Sequence, residues 1–256
     1  MPAPTNHLKA KLAAGERQVG CWLGLASPLA AEVAMTAGFD WLLIDAEHAP
    51  NDLSAISAQL GVLTAGGAQA IVRLPWGETW QIKQVLDAGA QTLLIPLVES
   101  GAEAERMARA MRYPPEGNRG AGAALARASR YSAIPDYLQT ANDQMCLLVQ
   151  VETVKGIEAL DDILAVEGID GIFIGPADLS ADMGFLGQSS APEVMEVMED
   201  AIRRARAAGK AAGIMALDPR IVEAAEGWGA NFLAVGIDVT SLGGALRDLA
   251  KRAKGG

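Results

Sequence analysis

The sequence predicts an α/β fold, a single closed barrel of eight βα units. Short apolar runs alternate with helical stretches along the whole length. Most runs are apolar throughout rather than alternating, as parallel strands covered on both faces must be. The 256 residues suit one such barrel, and no linker parts them into two domains.

In chain order the expected strands are Val19–Leu25, Trp41–Ile44, Ala70–Leu74, Thr92–Val98, Met145–Val151, Gly171–Ile174, Ala211–Met215 and Phe232–Val235. Between them Glu103–Met111, Val154–Ala165 and Pro192–Ala208 carry the apolar spacing of helices packed on one face. One junction recurs: a helix, a glycine, two residues, then a buried strand. It is found at Gly38-Phe39-Asp40, Gly89-Ala90-Gln91, Gly168-Ile169-Asp170 and Gly229-Ala230-Asn231. Glycine closes a helix there because it tolerates the left-handed conformation. Residues 1–17 read as a partly mobile extension of the single barrel domain 1–256. Tyr113–Pro135 is the longest irregular stretch, and a loop that long inside a compact domain is usually functional.

Composition excludes several classes. Against 21 Lys and Arg stand 31 Asp and Glu, a net charge of −10. Nucleic acid and anionic membranes need a basic face, so neither is an expected partner. Cys21 and Cys146 lie far apart with no CxxC, which argues against a disulfide framework or a structural zinc site. No secretory h-region and no long apolar run is present, so a cytoplasmic protein is expected.

In a barrel of this kind chemistry sits at the C-terminal ends of the strands. Asp45, Glu47 and His48 follow the second strand and Arg73 the third. Glu99 follows the fourth, Gln150 and Glu152 the fifth, and Asp178 the sixth. The other strands offer only Ser27, Asp218 and Asp238.

Neighbouring strands lie about 4.8 Å apart, so Glu152 and Asp178 can converge. Two carboxylates completed by water and a substrate oxygen make a hard-cation site for Mg²⁺ or Mn²⁺. The competing reading makes Asp178 a helix N-cap. Gly175-Pro176-Ala177-Asp178 is a strand end, a turn and a helix start, with backbone N–H groups able to hold a carboxylate; an ordinary βα turn would look the same. The only other histidine is His7, so any imidazole chemistry falls to His48, with Asp45 three residues before it and Asp87 more distant. A solvated loop histidine is the alternative. Arg73 can neutralise an enolate or carboxylate, or form a rim ion pair. Arg119, Arg127 and Arg130 read as solvated surface. No expected strand carries a lysine, which argues against Schiff-base chemistry, and no dinucleotide or P-loop glycine motif is present.

Three long segments carry a resemblance. Gly38–Asn51 (GFDWLLIDAEHAPN), Tyr113–Tyr131 (YPPEGNRGAGAALARASRY) and Val166–Gly184 (VEGIDGIFIGPADLSADMG) are similar in order and spacing to the HpcH/HpaI aldolases, the metal-dependent pyruvate aldolases. The similarity runs from about Cys21 to Val239.

The resemblance implies a TIM barrel of the phosphoenolpyruvate/pyruvate-binding type. It also implies a homohexamer of two trimers, with the last helix exchanged between subunits. Glu152 and Asp178 match the metal ligands, with Co²⁺ a third candidate ion. Arg73 matches the arginine at the pyruvate keto oxygen. His48, with Asp45 beside it, matches the acid–base histidine, and Asp87 an aspartate supporting it, which another subunit can contribute. Gln150, Gly175, Ala177 and Asp178 match the keto-acid contacts, and Met215 lies where the aldehyde pocket is shaped. The expected reaction is cleavage of a 4-hydroxy-2-oxo acid to pyruvate and a small aldehyde through a metal-stabilised enolate. A metal-dependent lyase of CoA thioesters and a non-catalytic keto-acid-binding protein are the alternatives.

Overall fold

The computed structural model describes residues 1–255. Eight parallel strands close into a barrel in sequence order, with the last pairing the first. They are β1 (Gln18–Leu23), β2 (Trp41–Asp45), β3 (Gln69–Arg73), β4 (Thr92–Ile95), β5 (Cys146–Gln150), β6 (Gly171–Ile174), β7 (Ala211–Met215) and β8 (Phe232–Ile237). Each expected run forms its strand. The fourth stops at Ile95 rather than Val98, because Pro96 has no N–H for the ladder and Leu97 turns left-handed at φ 54°.

Helices α1 (His7–Ala13), α2 (Pro28–Met35), α3 (Leu53–Ala65), α4 (Thr79–Asp87), α5 (Gly101–Met111) and the short α6 (Tyr137–Thr140) belong to the first half. Helices α7 (Val154–Glu158), α8 (Leu160–Leu164), α9 (Pro176–Asp182), α10 (Pro192–Ala207), α11 (Pro219–Trp228) and α12 (Asp238–Ala253) complete the chain. The stretch expected as one helix, Val154–Ala165, breaks at Ala159 into α7 and α8. The four glycine junctions hold: Gly38, Gly89, Gly168 and Gly229 all have positive φ. Among the described residues no helix is long and apolar enough to cross a membrane.

Alternation along the strands sorts the core into two layers. Leu42, Ile44, Val72, Leu93, Leu147 and Ile172 face the helices. Trp22, Trp41, Leu43, Ile71, Leu148, Phe173 and Phe232 fill the barrel. Small residues make room for the rings: a Cβ on Gly20 would lie 2.1 Å from the Trp41 ring. Continuing the inward register by two residues brings Asp45, Arg73, Gln150 and Gly175 to the inner rim at the C-terminal end.

Three expectations change. The segment 1–17 is packed rather than loose. Leu8 and Leu12, one helical turn apart, are buried inside the N-terminal end of the barrel with Trp41 and Cys146. Asn6 caps α1 and donates from Nδ2 to Thr92 Oγ1 and the Gln144 carbonyl, both at 3.0 Å. Arg119 is buried, not solvated: its guanidinium lies over the Tyr113 ring and pairs with Asp87 at 2.7 Å. Arg127 is half-buried and donates to the carbonyls of Ala88, at the end of α4, and of Leu60 within α3, while Arg130 is exposed as expected.

Helix α12 buries none of its residues in this chain. Val239, Leu242, Leu246 and Leu249 form an apolar stripe, each between 45% and 56% exposed.

Candidate active site

A cavity of about 770 Å³ opens at the C-terminal ends of the strands. Its wall includes Asp45, His48, Arg73, Gln150, Gly175, Ala177, Asp178 and Met215. Two expected residues are not in that wall: Glu152 is buried and hydrogen-bonded to Gln150, and Asp87 ends α4 and is held by Arg119, so within one chain it does not reach His48.

Asp45 and Arg73 are register partners on β2 and β3, both buried. Arg73 donates from Nε and Nη2 to the two Asp45 oxygens at 2.8 and 2.9 Å. Nη1 pairs with Glu47 and lies 3.4 Å from Gln150 Oε1. Trp22 supports the guanidinium from one face, with its centroid 4.1 Å from Cζ. A guanidinium has five N–H donors, so one Nη2 hydrogen is left for a ligand oxygen. The rim ion pair considered for Arg73 therefore exists, and it orients the arginine within the cavity rather than retiring it.

Gln150 links Arg73 to Glu152, donating from Nε2 to Glu152 Oε2 at 2.6 Å. The Leu97 amide donates to the other Glu152 oxygen at 3.1 Å. Gly175 lets the backbone approach, since a Cβ there would lie 2.2 Å from Oε2. Burial, and then the charge of Asp178, push the Glu152 carboxyl up to about 7. Glu47 is also raised by burial, against the pull of Arg73 and His48.

Asp178 is the third residue of α9, and no side chain caps that helix, so the N-cap reading is not what the structure shows. His48 is exposed, at 68% of its side chain, with Nε2 3.9 Å from Glu47 Oε1. Its loop is tied down by Asn51, which donates to the Asp45 carbonyl at 2.7 Å and accepts from Gln59.

Among the described residues no three or more His, Cys, Asp or Glu side chains converge as a metal cluster. The candidate donors are the Glu152 and Asp178 carboxylates, near enough that the charge of Asp178 raises the pKa of Glu152. Glu152 is buried, its direct hydrogen-bond partners are neutral, and Asp178 repels it. That excess of negative charge fits a hard divalent ion whose other ligands are water and substrate. Among the described residues no lysine lines the cavity.

Trp22, Phe173 and Leu97 were not singled out from the sequence. The inward register of β1 and β6 could have found the two rings; nothing local announces Leu97.

A parallel eight-stranded barrel with an arginine and carboxylates gathered at its C-terminal mouth is the architecture of a TIM-barrel enzyme. Residues 18–245 match the model of the HpcH/HpaI aldolase/citrate lyase family, and the chain belongs to that family. It is 65% identical over 242 residues to a hydroxypyruvate/pyruvate aldolase of Roseovarius nubinhibens, covering 94% of each chain. It is 53% identical to a 4-hydroxy-2-oxo-heptane-1,7-dioate aldolase of Escherichia coli, covering 96% of this chain and 94% of that one. The crystal structure of a family member from Burkholderia cenocepacia J2315 superposes with a TM-score of 0.93 at 38% identity, over 98% of this chain and 100% of that one.

Proposed function

We propose that this protein is a divalent-metal-dependent aldolase. It cleaves 4-hydroxy-2-oxo acids to pyruvate and a small aldehyde and runs the reverse addition. As an enzyme it is a carbon–carbon lyase, in keeping with the aldolase names of its relatives at 53–65% identity. The observation that carries the reading is Arg73, locked by Asp45 in the cavity that Asp178 also lines, and linked through Gln150 to the buried Glu152.

Glu152 and Asp178 would hold the ion, Mg²⁺ or Mn²⁺ with Co²⁺ a third candidate. When bound it supplies Lewis acidity at the oxo acid. Arg73 donates its free Nη2 hydrogen to the keto oxygen, where negative charge grows as the C3–C4 bond breaks. Gln150 holds Arg73 and Glu152 in one relative orientation. Gly175 and Ala177 leave room for the acid's carboxylate beside α9. His48, directly or through a water, takes the C4 hydroxyl proton as the C3–C4 bond breaks, and its exposure lets solvent deliver a proton to C3 of the enolate to give pyruvate. Met215 and Leu217 face the aldehyde.

Asp87 enters only from another subunit in this scheme. The assembly is a homohexamer of two trimers in which a neighbour covers the stripe on α12. The cytoplasm expected from the sequence stays part of the proposal.

The test needs no aldehyde. Pyruvate in D₂O with Mg²⁺ or Mn²⁺ should lose its methyl proton signal, and EDTA should stop the loss while borohydride should not. Absence of exchange with every divalent ion overturns the reading and favours the thioester lyase or the binding protein.

A further inference from the structure

We propose that Leu97 is a positioning residue for Glu152, acting through its backbone; this rests on Glu152 as a metal ligand. Leu97 has φ 54°, a region that glycine or asparagine ordinarily fills. In a regular strand successive amides point to opposite sides, so only one of two neighbours can face an adjacent strand. The left-handed turn breaks that rule. Leu97 N–H donates to Glu152 Oε1 at 3.1 Å, and Val98 N–H donates to the Gln150 carbonyl at 3.0 Å. Two consecutive amides thus both face the end of β5.

The turn is held on either side. Pro96 before it has no N–H and a fixed φ. Val98 after it is fully buried, and its carbonyl packs on Gly156, where a Cβ would come within 2.9 Å. A strained residue persists where its surroundings over-determine it, and such residues gather at functional sites. Here the strained amide, the Gln150 side chain and the Gly175 backbone confine the Glu152 carboxylate with neutral groups. They fix the direction of its lone pairs and leave its charge for a cation.

The test separates backbone conformation from side-chain packing. Mn²⁺ binding to metal-free protein is followed by electron paramagnetic resonance, with thermal unfolding of each variant alongside. Leu97→Val and Leu97→Ile keep an apolar side chain but resist the left-handed region. They should weaken Mn²⁺ binding by about 10- to 100-fold, as the loss of other carboxylate-orienting partners does. Leu97→Asn sacrifices the apolar side chain but adopts the turn, and should bind within a few-fold of wild type. If the packing of Leu97 were what mattered, the order would invert, and that result overturns the proposal. So does a Leu97→Val protein that binds like wild type. Should Leu97→Val fail to fold, Leu97→Ala against Leu97→Asn makes the same comparison, with Asn expected to bind more tightly. Wild type that binds no Mn²⁺ overturns the metal reading itself, a failure distinct from equal binding by wild type and variants.

Discussion

Arg73 grips Asp45 through both carboxylate oxygens from the adjacent strand, at 2.8 and 2.9 Å. Both Asp45 oxygens are thereby engaged by the arginine. Lysine presents a point charge and cannot reproduce that fork. Arg73→Ala should lower turnover by about 10²- to 10³-fold, the scale of a lost oxyanion donor, with Mn²⁺ binding retained. Arg73→Lys should recover little of it. Steady-state kinetics beside a metal titration check this, and a near-native rate for Arg73→Ala returns the residue to a structural role.

Glu152 links pH to stability in the metal-free protein. Its folded pKa, about 7, lies above the ordinary carboxylate value of 4.5. Between those values the folded state keeps a proton that the unfolded state has lost, so stability falls as pH rises through this window and levels off above it. Glu152→Gln removes the dependence. Denaturant midpoints from pH 4.5 to 7.5 should fall more steeply for wild type than for the variant. Parallel curves would show that burial does not hold the proton on Glu152.

Metal binding should carry the complementary signature. The ion needs the carboxylate form, so Mn²⁺ affinity should rise from pH 5.5 towards 7 and flatten above it. Glu152→Gln should bind Mn²⁺ poorly at every pH. Calorimetric titrations in buffers of different ionisation enthalpy would count the protons released.

Gly175 has a specific steric duty. A Cβ there would meet Glu152 Oε2 at 2.2 Å, so Gly175→Ala must displace the carboxylate. Activity and Mn²⁺ binding should drop together while circular dichroism stays native. Full activity would mean that Glu152 moves aside without consequence.

The N-terminal plug is a stability element. Leu8→Ala and Leu12→Ala each remove a buried side chain from the barrel floor and should cost about 2–5 kcal/mol. Pyruvate exchange at 25 °C should be spared in the protein that remains folded, because the plug lies at the end opposite the cavity. Equal stability of the Leu12→Ala protein would contradict the packing of α1.

The apolar stripe on α12 tests the assembly. Leu246→Glu puts a charge where a neighbouring subunit is proposed to pack. Light scattering should show smaller species than wild type; an unchanged mass would remove α12 from the interface.

Much of this molecule is legible in one dimension. Trp41–Ile44 and Gly171–Ile174 read as buried strands because both of their faces are covered, which leaves an unbroken apolar run. The residues after the strands read as a site because the barrel gathers all its strand ends at one mouth. Glu152 and Asp178, far apart in sequence, were paired on that ground alone.

Other features carry no local mark. Leu8 and Leu12 look like any short amphipathic turn until the barrel offers them an open floor. Arg119 looks solvated until Tyr113 and Asp87 close around it. Leu97 looks like a continuing strand until Pro96 ends the ladder and Glu152 claims its amide. Periodicity and strand-end chemistry depend on neighbours along the chain, and these the sequence alone determined. Which amide faces which carboxylate, and which charge finds its partner, depends on groups brought together only by closure of the barrel, so the tertiary structure decided them.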